Sequence, residues 1–305
     1  GTISLVICAP FCDLGRTNYP EQFMAQRIGS LRDIVEHYDV ILCDVWGVLH
    51  NGISGFPEAS LALKAAREAG LTVVLITNSP RPNKGVSIQL DGLGVLREAY
   101  DRIVTSGDVT RKLIAEGPKK TFFIGADRDT PLLEGLGTEL VGEDEAEIII
   151  CAGLFDDENE TPDMYRDMLL RFVARGVPMI CANPDLVVER GHKLIPCAGA
   201  VAALFEELGG AVRIAGKPYA PIYVAALEEA RNHRGDFARE RVLAIGDGMP
   251  TDVKGAISQG LELLYISAGI HARDYMTGDT TDETALDRFL ENHQAAPRWW
   301  VPRLQ

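Results

Sequence analysis

Five polar residues of this chain stand where apolar runs give out. Asp44 closes the run Val40-Ile41-Leu42-Cys43 and is followed by Val45-Trp46-Gly47. An apolar run that ends in a carboxylate and then a glycine reads as a buried parallel strand carrying an acid to the carboxyl edge of a sheet. That edge is where open α/β sheets bind ligands. Residues 71–76 run in the same way into Thr77-Asn78-Ser79, and residues 242–245 run into Gly246-Asp247, with Asp252 five positions further on. Lys217 stands between these segments in Gly216-Lys217-Pro218. Asp, Thr, Lys and an acidic pair, in that order, form a constellation suited to phosphoryl transfer. Trp46 is the one residue in it whose type does not fit.

The elements that must position these residues alternate between strand and helix signals, which argues for an α/β fold with a parallel sheet. After Asp44 comes a loop rich in turn formers, and Pro57 then opens a helix that stops at Gly70, a proline-start and glycine-stop pattern. Residues 71–76 and 102–105 read as strands. A second run of α/β units follows, with strands at 121–124, 147–151 and 177–182. A helix is expected at 161–175, where Tyr165, Met168, Leu169, Phe172 and Val173 recur at helical spacing, and another at 199–208. If Thr77 and Lys217 share a site, the self-sufficient stretch between them is an inserted domain, and insertions sit at exposed loops. The expected division is an N-terminal extension at 1–29, a core at 30–105 and 199–305, and an inserted cap at 106–198. The aromatic tail Trp299-Trp300-Val301 is expected to dock on the core or on a partner subunit.

The chain has 305 residues, enough for one large or two moderate domains, and a formal net charge of −14. That charge disfavours nonspecific binding to nucleic acid or to an anionic membrane. No apolar stretch is long enough to span a bilayer. The six cysteines form no CxxC pair. Cys43, Cys151 and Cys181 lie in or beside strand-like runs and read as reduced core residues of a cytoplasmic protein, while Cys8 and Cys12 read as incidental. Residues 1–23 carry no signal-peptide pattern, and Met24 reads as the start of the protein. No strand is followed by GxGxxG and there is no Walker loop, which disfavours a dinucleotide-dependent oxidoreductase.

The motifs together resemble the haloacid dehalogenase superfamily, and more closely its subclass IIA, the p-nitrophenylphosphatase and sugar-phosphatase group. The resemblance covers about residues 38 to 270. It rests on Asp44-Val45-Trp46-Gly47-Val48-Leu49 with Asn51-Gly52, on Ile76-Thr77-Asn78-Ser79, on Gly216-Lys217-Pro218, on Gly246-Asp247 with Asp252 and Gly255-Ala256, and on Ala182-Asn183-Pro184-Asp185 in the inserted stretch. It implies a Rossmann-like doubly wound core with a large α/β cap between the second and third motifs. It also implies an aspartyl-phosphate on Asp44, and Mg²⁺ held by Asp44, Asp247, Asp252 and the backbone carbonyl of Trp46. Thr77 and the backbone N–H of Asn78 would hold a phosphoryl oxygen, and Lys217 would neutralise the transferring group. Asn183, Asp185 and His192 in the cap would face the substrate, a small phosphorylated metabolite such as a sugar phosphate, and members are often homodimers through the cap.

Phosphatases that the chain resembles carry a second Asp two residues after the nucleophile, where this chain has Trp46. That Asp protonates the leaving oxygen and then activates water. An indole N–H only donates and cannot cycle a proton near neutral pH. General acid–base help is worth about 10²–10⁴-fold, or roughly 3–5 kcal/mol of barrier. Three readings follow: a phosphatase that is slow, takes leaving groups needing no acid, or borrows His50, Asn51 or His192; a hydrolase of carbon–halogen or carbon–phosphorus bonds; and a phosphate-ester-binding protein with little or no turnover. Retention of Asp44, Lys217, Asp247 and Asp252 argues against complete loss of the site.

Overall fold

The computed structural model describes residues 24–190 and 193–305. It contains two parallel sheets. The larger has seven strands, in the order Arg102–Thr105, Thr72–Thr77, Val40–Cys43, Val242–Gly246, Glu262–Ile266, Trp299–Val301 and Gln26–Arg27. All its pairings are parallel. Counting from Val40–Cys43 as the first strand and leaving out the edge strand Gln26–Arg27, the other six run 3-2-1-4-5-6, the doubly wound order. Its direction reverses between strands one and four, which places the ligand crevice beyond the carboxyl ends of Val40–Cys43 and Val242–Gly246.

The central strands are apolar on both faces. Ile41, Val73, Leu75, Leu243, Ile245 and Leu264 point to one cluster, and Val40, Leu42, Val74, Ile76, Ala244 and Leu263 point to the other. A sheet of this kind must be covered by helices on both sides. On one side lies Pro57–Glu68, which begins with proline at its first turn and buries Ala59, Leu63 and Ala66, positions that fall on one helical face. On the other lies Ala220–Arg234, which buries Ile222, Tyr223, Ala226, Leu227 and Ala230.

The smaller sheet has five strands, in the order Val212–Ile214, Met179–Cys181, Ile148–Cys151, Lys120–Ile124 and Glu139–Leu140. Helices Arg166–Arg175 and Ala198–Glu207 cover one face through Leu169, Phe172, Val201 and Phe205. The other face gives Ile148, Ile150 and Ile180 to a cluster shared with the core, through Val109, Leu113 and Ile114 of helix Ser106–Glu116. That helix is started by Thr105, whose hydroxyl accepts the Asp108 N–H at 2.9 Å. The insertion therefore rests on a common apolar seam.

Several expectations are corrected. The expected boundary at 198/199 falls inside the second unit, because Ala198–Glu207 and Val212–Ile214 pack on and in the five-stranded sheet. The end of the expected extension is part of the core: Gln26–Arg27 is an edge strand and Ile28 is buried. The aromatic tail docks on no surface. Trp299–Val301 is a strand inserted between Glu262–Ile266 and Gln26–Arg27, with both tryptophans buried. The helix expected at 161–175 begins as a 3₁₀ turn at Pro162–Tyr165 and becomes α-helical at Arg166, because the proline suits a first turn but supplies no N–H. The elements with no expectation include strands Val212–Ile214 and Glu262–Ile266, helices Ala220–Arg234 and Glu283–Asn292, and the antiparallel hairpin Val187–Arg190 with Lys193–Pro196. Cys43, Cys151 and Cys181 are buried free thiols, and Cys197 is buried as well. Cys8 and Cys12 lie outside the described residues. Among the described residues no helix is long and apolar enough to cross a membrane.

Candidate active site

Strand register brings the candidate residues to one edge. Cys43 lies beside Ile245 on one side and Leu75 on the other. Asp44, Asp247 and Thr77 therefore leave the sheet at nearly the same height, and the Asp44 N–H is still held by the Ile245 carbonyl at 2.8 Å. Asp44, Asp247 and Asp252 each present a carboxylate oxygen within 4.8 Å of the others. The Lys217 ammonium sits among them, with Nζ 2.6 Å from Asp44 Oδ1 and 2.7 Å from Asp252 Oδ1. The Lys217 and Asp252 side chains are only 4% and 5% exposed.

Each group is fixed from behind. Asp252 Oδ2 accepts the Gly248 N–H at 3.0 Å, and Asp247 Oδ2 accepts the Ile270 N–H at 2.8 Å. Gly47, at a backbone φ of +85°, passes so close to Asp247 that a Cβ there would collide with its carboxylate. Lys217 is held by the Asn78 amide: Asn78 Oδ1 accepts the Lys217 N–H at 2.6 Å, and Asn78 Nδ2 donates to the Lys217 carbonyl at 3.0 Å. The second and third motifs are thus joined by a two-point clamp across 139 positions of sequence. The motif pointed to the Asn78 backbone, whereas the side chain makes the link. Thr77 is buried, and its Oγ1 accepts the Ser79 N–H at 3.2 Å.

Three carboxylates and one ammonium leave a formal charge of −2 in a nearly dry space. Burial, then Asp252, pushes the Asp247 carboxyl up to about 6, and burial and Asp252 also raise Asp44 well above the usual carboxylate range against the pull of Lys217. Burial works against the Lys217 charge, but Asp252 and Asp44 outweigh it and hold the ammonium above its ordinary value. Hard oxygen donors carrying two excess negative charges suit a small divalent cation, so the residues fit Mg²⁺.

Asp44, Thr77, Asn78, Lys217 and Asp247 line a cleft of about 570 Å³. Trp46 stands in its wall, 54% exposed. The insertion contributes Asn183 and Asp185 to the same cleft. Asn183 Oδ1 accepts the Asp185 N–H at 3.0 Å, a turn-forming bond that also aims the segment. Burial raises the Asp185 carboxyl while Lys217 lowers it. His192 lies outside the described residues. His50 is buried in the cleft wall; its Nδ1 accepts the Gly52 N–H at 3.0 Å, so in the neutral ring the proton is on Nε2. Asn51 is spent on its own turn, accepting the Ile53 and Ser54 N–H groups. Sequence reasoning missed the segment after Glu262–Ile266. There Ile270 holds Asp247, and His271 Nε2 accepts the Met249 N–H at 3.0 Å. Recognising that strand would have placed this loop at the same sheet edge.

Comparison with known proteins gives two family matches, a haloacid dehalogenase-like hydrolase model over residues 41–139 and a HAD-hydrolase-like model over residues 214–292. A solved haloacid dehalogenase-like hydrolase from Brucella suis 1330 is 50% identical, over 90% of this chain and 99% of its own, with a TM-score of 0.73. The chain belongs to the haloacid dehalogenase-like family, subclass IIA. The 5′-nucleotidase YutF of Bacillus subtilis (strain 168) is 24% identical over 87% of this chain and 98% of its own length. The ribonucleotide monophosphatase NagD of Escherichia coli (strain K12) is 27% identical over 77% and 89%. Within this family setting the five-stranded insertion, entering after Thr77 and returning before Lys217, is the cap.

Proposed function

We propose that the protein is a Mg²⁺-dependent phosphatase of a small phosphorylated metabolite, working through an aspartyl-phosphate on Asp44. The observation that carries this reading is the Lys217 ammonium bridging Asp44 and Asp252 beside Asp247, at the switch point of the sheet. An ammonium held there neutralises the incoming phosphoryl oxygens and the acyl phosphate that follows. Asp44 is the nucleophile because it faces the cleft with its carboxylate paired to the Lys217 ammonium, whereas the carboxylates of Asp247 and Asp252 are tied to backbone N–H groups. Thr77 Oγ1 and the Asn78 backbone N–H receive a phosphoryl oxygen. Asp44, Asp247, Asp252 and the Trp46 carbonyl would hold Mg²⁺, which supplies charge neutralisation that lets a carboxylate approach an anionic ester. Asn183 and Asp185 are the cap's contacts to the leaving group. Nucleotidase and sugar-phosphatase activities in the names of relatives agree with a phosphate monoester as the substrate class.

Trp46 favours one competing reading, a site that binds a phosphate ester and turns it over poorly or not at all. Phosphate release from a panel of monoesters, in wild type and Asp44→Asn, with Mg²⁺ and with EDTA, separates the two. Release that needs both Mg²⁺ and Asp44 supports the phosphatase. Ligand-induced thermal stabilisation without release supports the binder.

A further inference from the structure

Trp46 stands where the phosphatases that this chain resembles carry a second Asp, and it lines the same cleft as the candidate nucleophile Asp44. The Trp46 residue is 54% exposed in the cleft wall. It makes none of the ring-stacking or cation–π contacts found among the described residues. Its edge rests on Gly52, where a Cβ would lie 3.2 Å from the indole Nε1 at a backbone φ of +87°. Gly52 lets the turn-rich loop after Asp44 lie close against one edge of the ring. A phosphoryl group attacked in line by Asp44 must expel its leaving group away from Asp44, into a cleft whose lining includes Trp46, Asn183 and Asp185.

Two chemical requirements meet in that space. An exposed indole face favours a planar π system or a cation. The missing acid favours a leaving oxygen that departs without a proton. A quaternary ammonium alcohol would suit the ring, but its alkoxide is too basic to leave unprotonated. Sugar and glycerol phosphates fail on both counts. An aryl ester satisfies both, since a phenolic oxygen has a pKa near 10 or below.

We propose that Trp46 makes this site selective for small aryl (phenolic) phosphate monoesters, by stacking on the ring of a leaving group that needs no general acid. This rests on the phosphatase reading given above. In the first step the bond from Asp44 Oδ to phosphorus forms as the bond from phosphorus to the aryl oxygen breaks. The electron pair leaves with the aryloxide, which takes its proton from solvent. In the second step a water oxygen attacks phosphorus, the Asp44–phosphorus bond breaks, and the water's proton passes to solvent. With no base beside the water, this second step is the slow one. The first turnover then releases a burst of phenol matching the enzyme concentration.

The test compares three probes with Mg²⁺: 4-nitrophenyl phosphate (ring and good leaving group), acetyl phosphate (good leaving group, no ring) and benzyl phosphate (ring, alkoxide leaving group). Wild type, Trp46→Phe, Trp46→Ala and Asp44→Asn are assayed with each. The expected order of kcat/KM in wild type is 4-nitrophenyl above acetyl, and both far above benzyl. The 4-nitrophenyl to acetyl ratio should fall about tenfold in Trp46→Ala and be largely kept in Trp46→Phe, as for loss and retention of one stacking surface. Independently of turnover, phenylphosphonate should quench the fluorescence of Trp46 in the metal-free protein where methylphosphonate does not, Trp299 and Trp300 being buried. Asp44-dependent release from all three probes at similar kcat/KM, or a ratio unchanged in Trp46→Ala, would overturn the aryl selectivity and leave the phosphatase reading standing. No Asp44-dependent release from any probe would overturn both.

Discussion

Asn78→Ala tests whether the clamp on Lys217 is what makes the ammonium effective. The substitution removes both hydrogen bonds to the Lys217 backbone, at 2.6 and 3.0 Å, and leaves a buried N–H and a buried carbonyl without partners. Each orphaned group costs about 1–3 kcal/mol. Water entering the cleft side recovers part of this, so a stability loss of about 2–4 kcal/mol is expected. For a chain of this size that corresponds to a fall in Tm of roughly 4–10 °C. The catalytic effect should be separate and larger. Lys217 Nζ now meets two carboxylates at 2.6 and 2.7 Å. A shift of about 1 Å in a positioned group can cost 10²-fold in rate. On the proposed mechanism the ammonium acts on the transferring group, so kcat should fall about 10²-fold with a smaller change in KM. Steady-state kinetics on 4-nitrophenyl phosphate, at a temperature well below the variant's Tm, reads this directly. A variant that melts earlier but keeps kcat would show that the clamp is structural only and that Lys217 finds its place without it.

The remaining predictions address other parts of the molecule. Trp46→Asp should raise kcat on an alkyl phosphate by about 10²–10⁴-fold, and should abolish the phenol burst on aryl substrates by supplying a base for the water step; unchanged or lower activity would count against the account of Trp46. Gly47→Ala should cut activity sharply and weaken Mg²⁺ binding in calorimetry, because the added methyl collides with the Asp247 carboxylate and the φ of +85° strains any side chain. Asp101→Ala should cost about 2–4 kcal/mol in urea denaturation, since the Val73 N–H loses its acceptor at 2.8 Å inside the sheet and Arg67 loses its partner. Arg241 beside Asp39 holds that carboxyl below its usual range. The stability it adds is therefore present above the unfolded-state pKa of about 3.9 and is lost as pH falls through the lower native value. For this partly exposed pair the effect of Asp39→Asn at neutral pH should be about 0.5–1 kcal/mol, and should shrink towards zero in acid.

What was legible in the sequence follows from what punctuates it. Strands that end in a chemical group, such as Val40–Cys43 before Asp44 and Val242–Gly246 before Asp247, stand out because an apolar run meets a carboxylate and glycine. Their place at one sheet edge follows from parallel topology alone. Strand Glu262–Ile266 escaped because it opens on a charged residue and closes into Ser267 and Ala268, with no motif to mark it. Trp299–Val301 escaped because a terminal aromatic triplet reads equally as a docking tail; only its neighbours on both sides make it a strand. The cap boundary was misplaced for a related reason. The helix Ala198–Glu207 is small-residue-rich and apolar, so its sequence says that it is buried but not against which sheet. The Asn78 clamp joins residues 139 positions apart, and nothing in either segment announces the other.

Trp46 bears on function more sharply because the rest of the site is intact around it. A decayed phosphatase site would be expected to lose costly groups first. Three crowded carboxylates and a buried ammonium oppose folding unless something is bound among them. All four remain here, each fixed by a separate element: Asp44 and Asp247 at strand ends, Asp252 in the π-helical segment Met249–Val253, and Lys217 by Asn78. The Trp46 side chain is likewise accommodated rather than merely tolerated, with Gly52 leaving space at the edge of the indole. A single loss of an acid would require none of this fit. A site rebuilt so that the leaving group supplies its own stability would require an aromatic surface at this position and no proton carrier beside it. On the proposal of aryl selectivity, the leaving group, rather than the phosphoryl group, is the part of the substrate that this chain recognises differently from a phosphatase with aspartate at position 46.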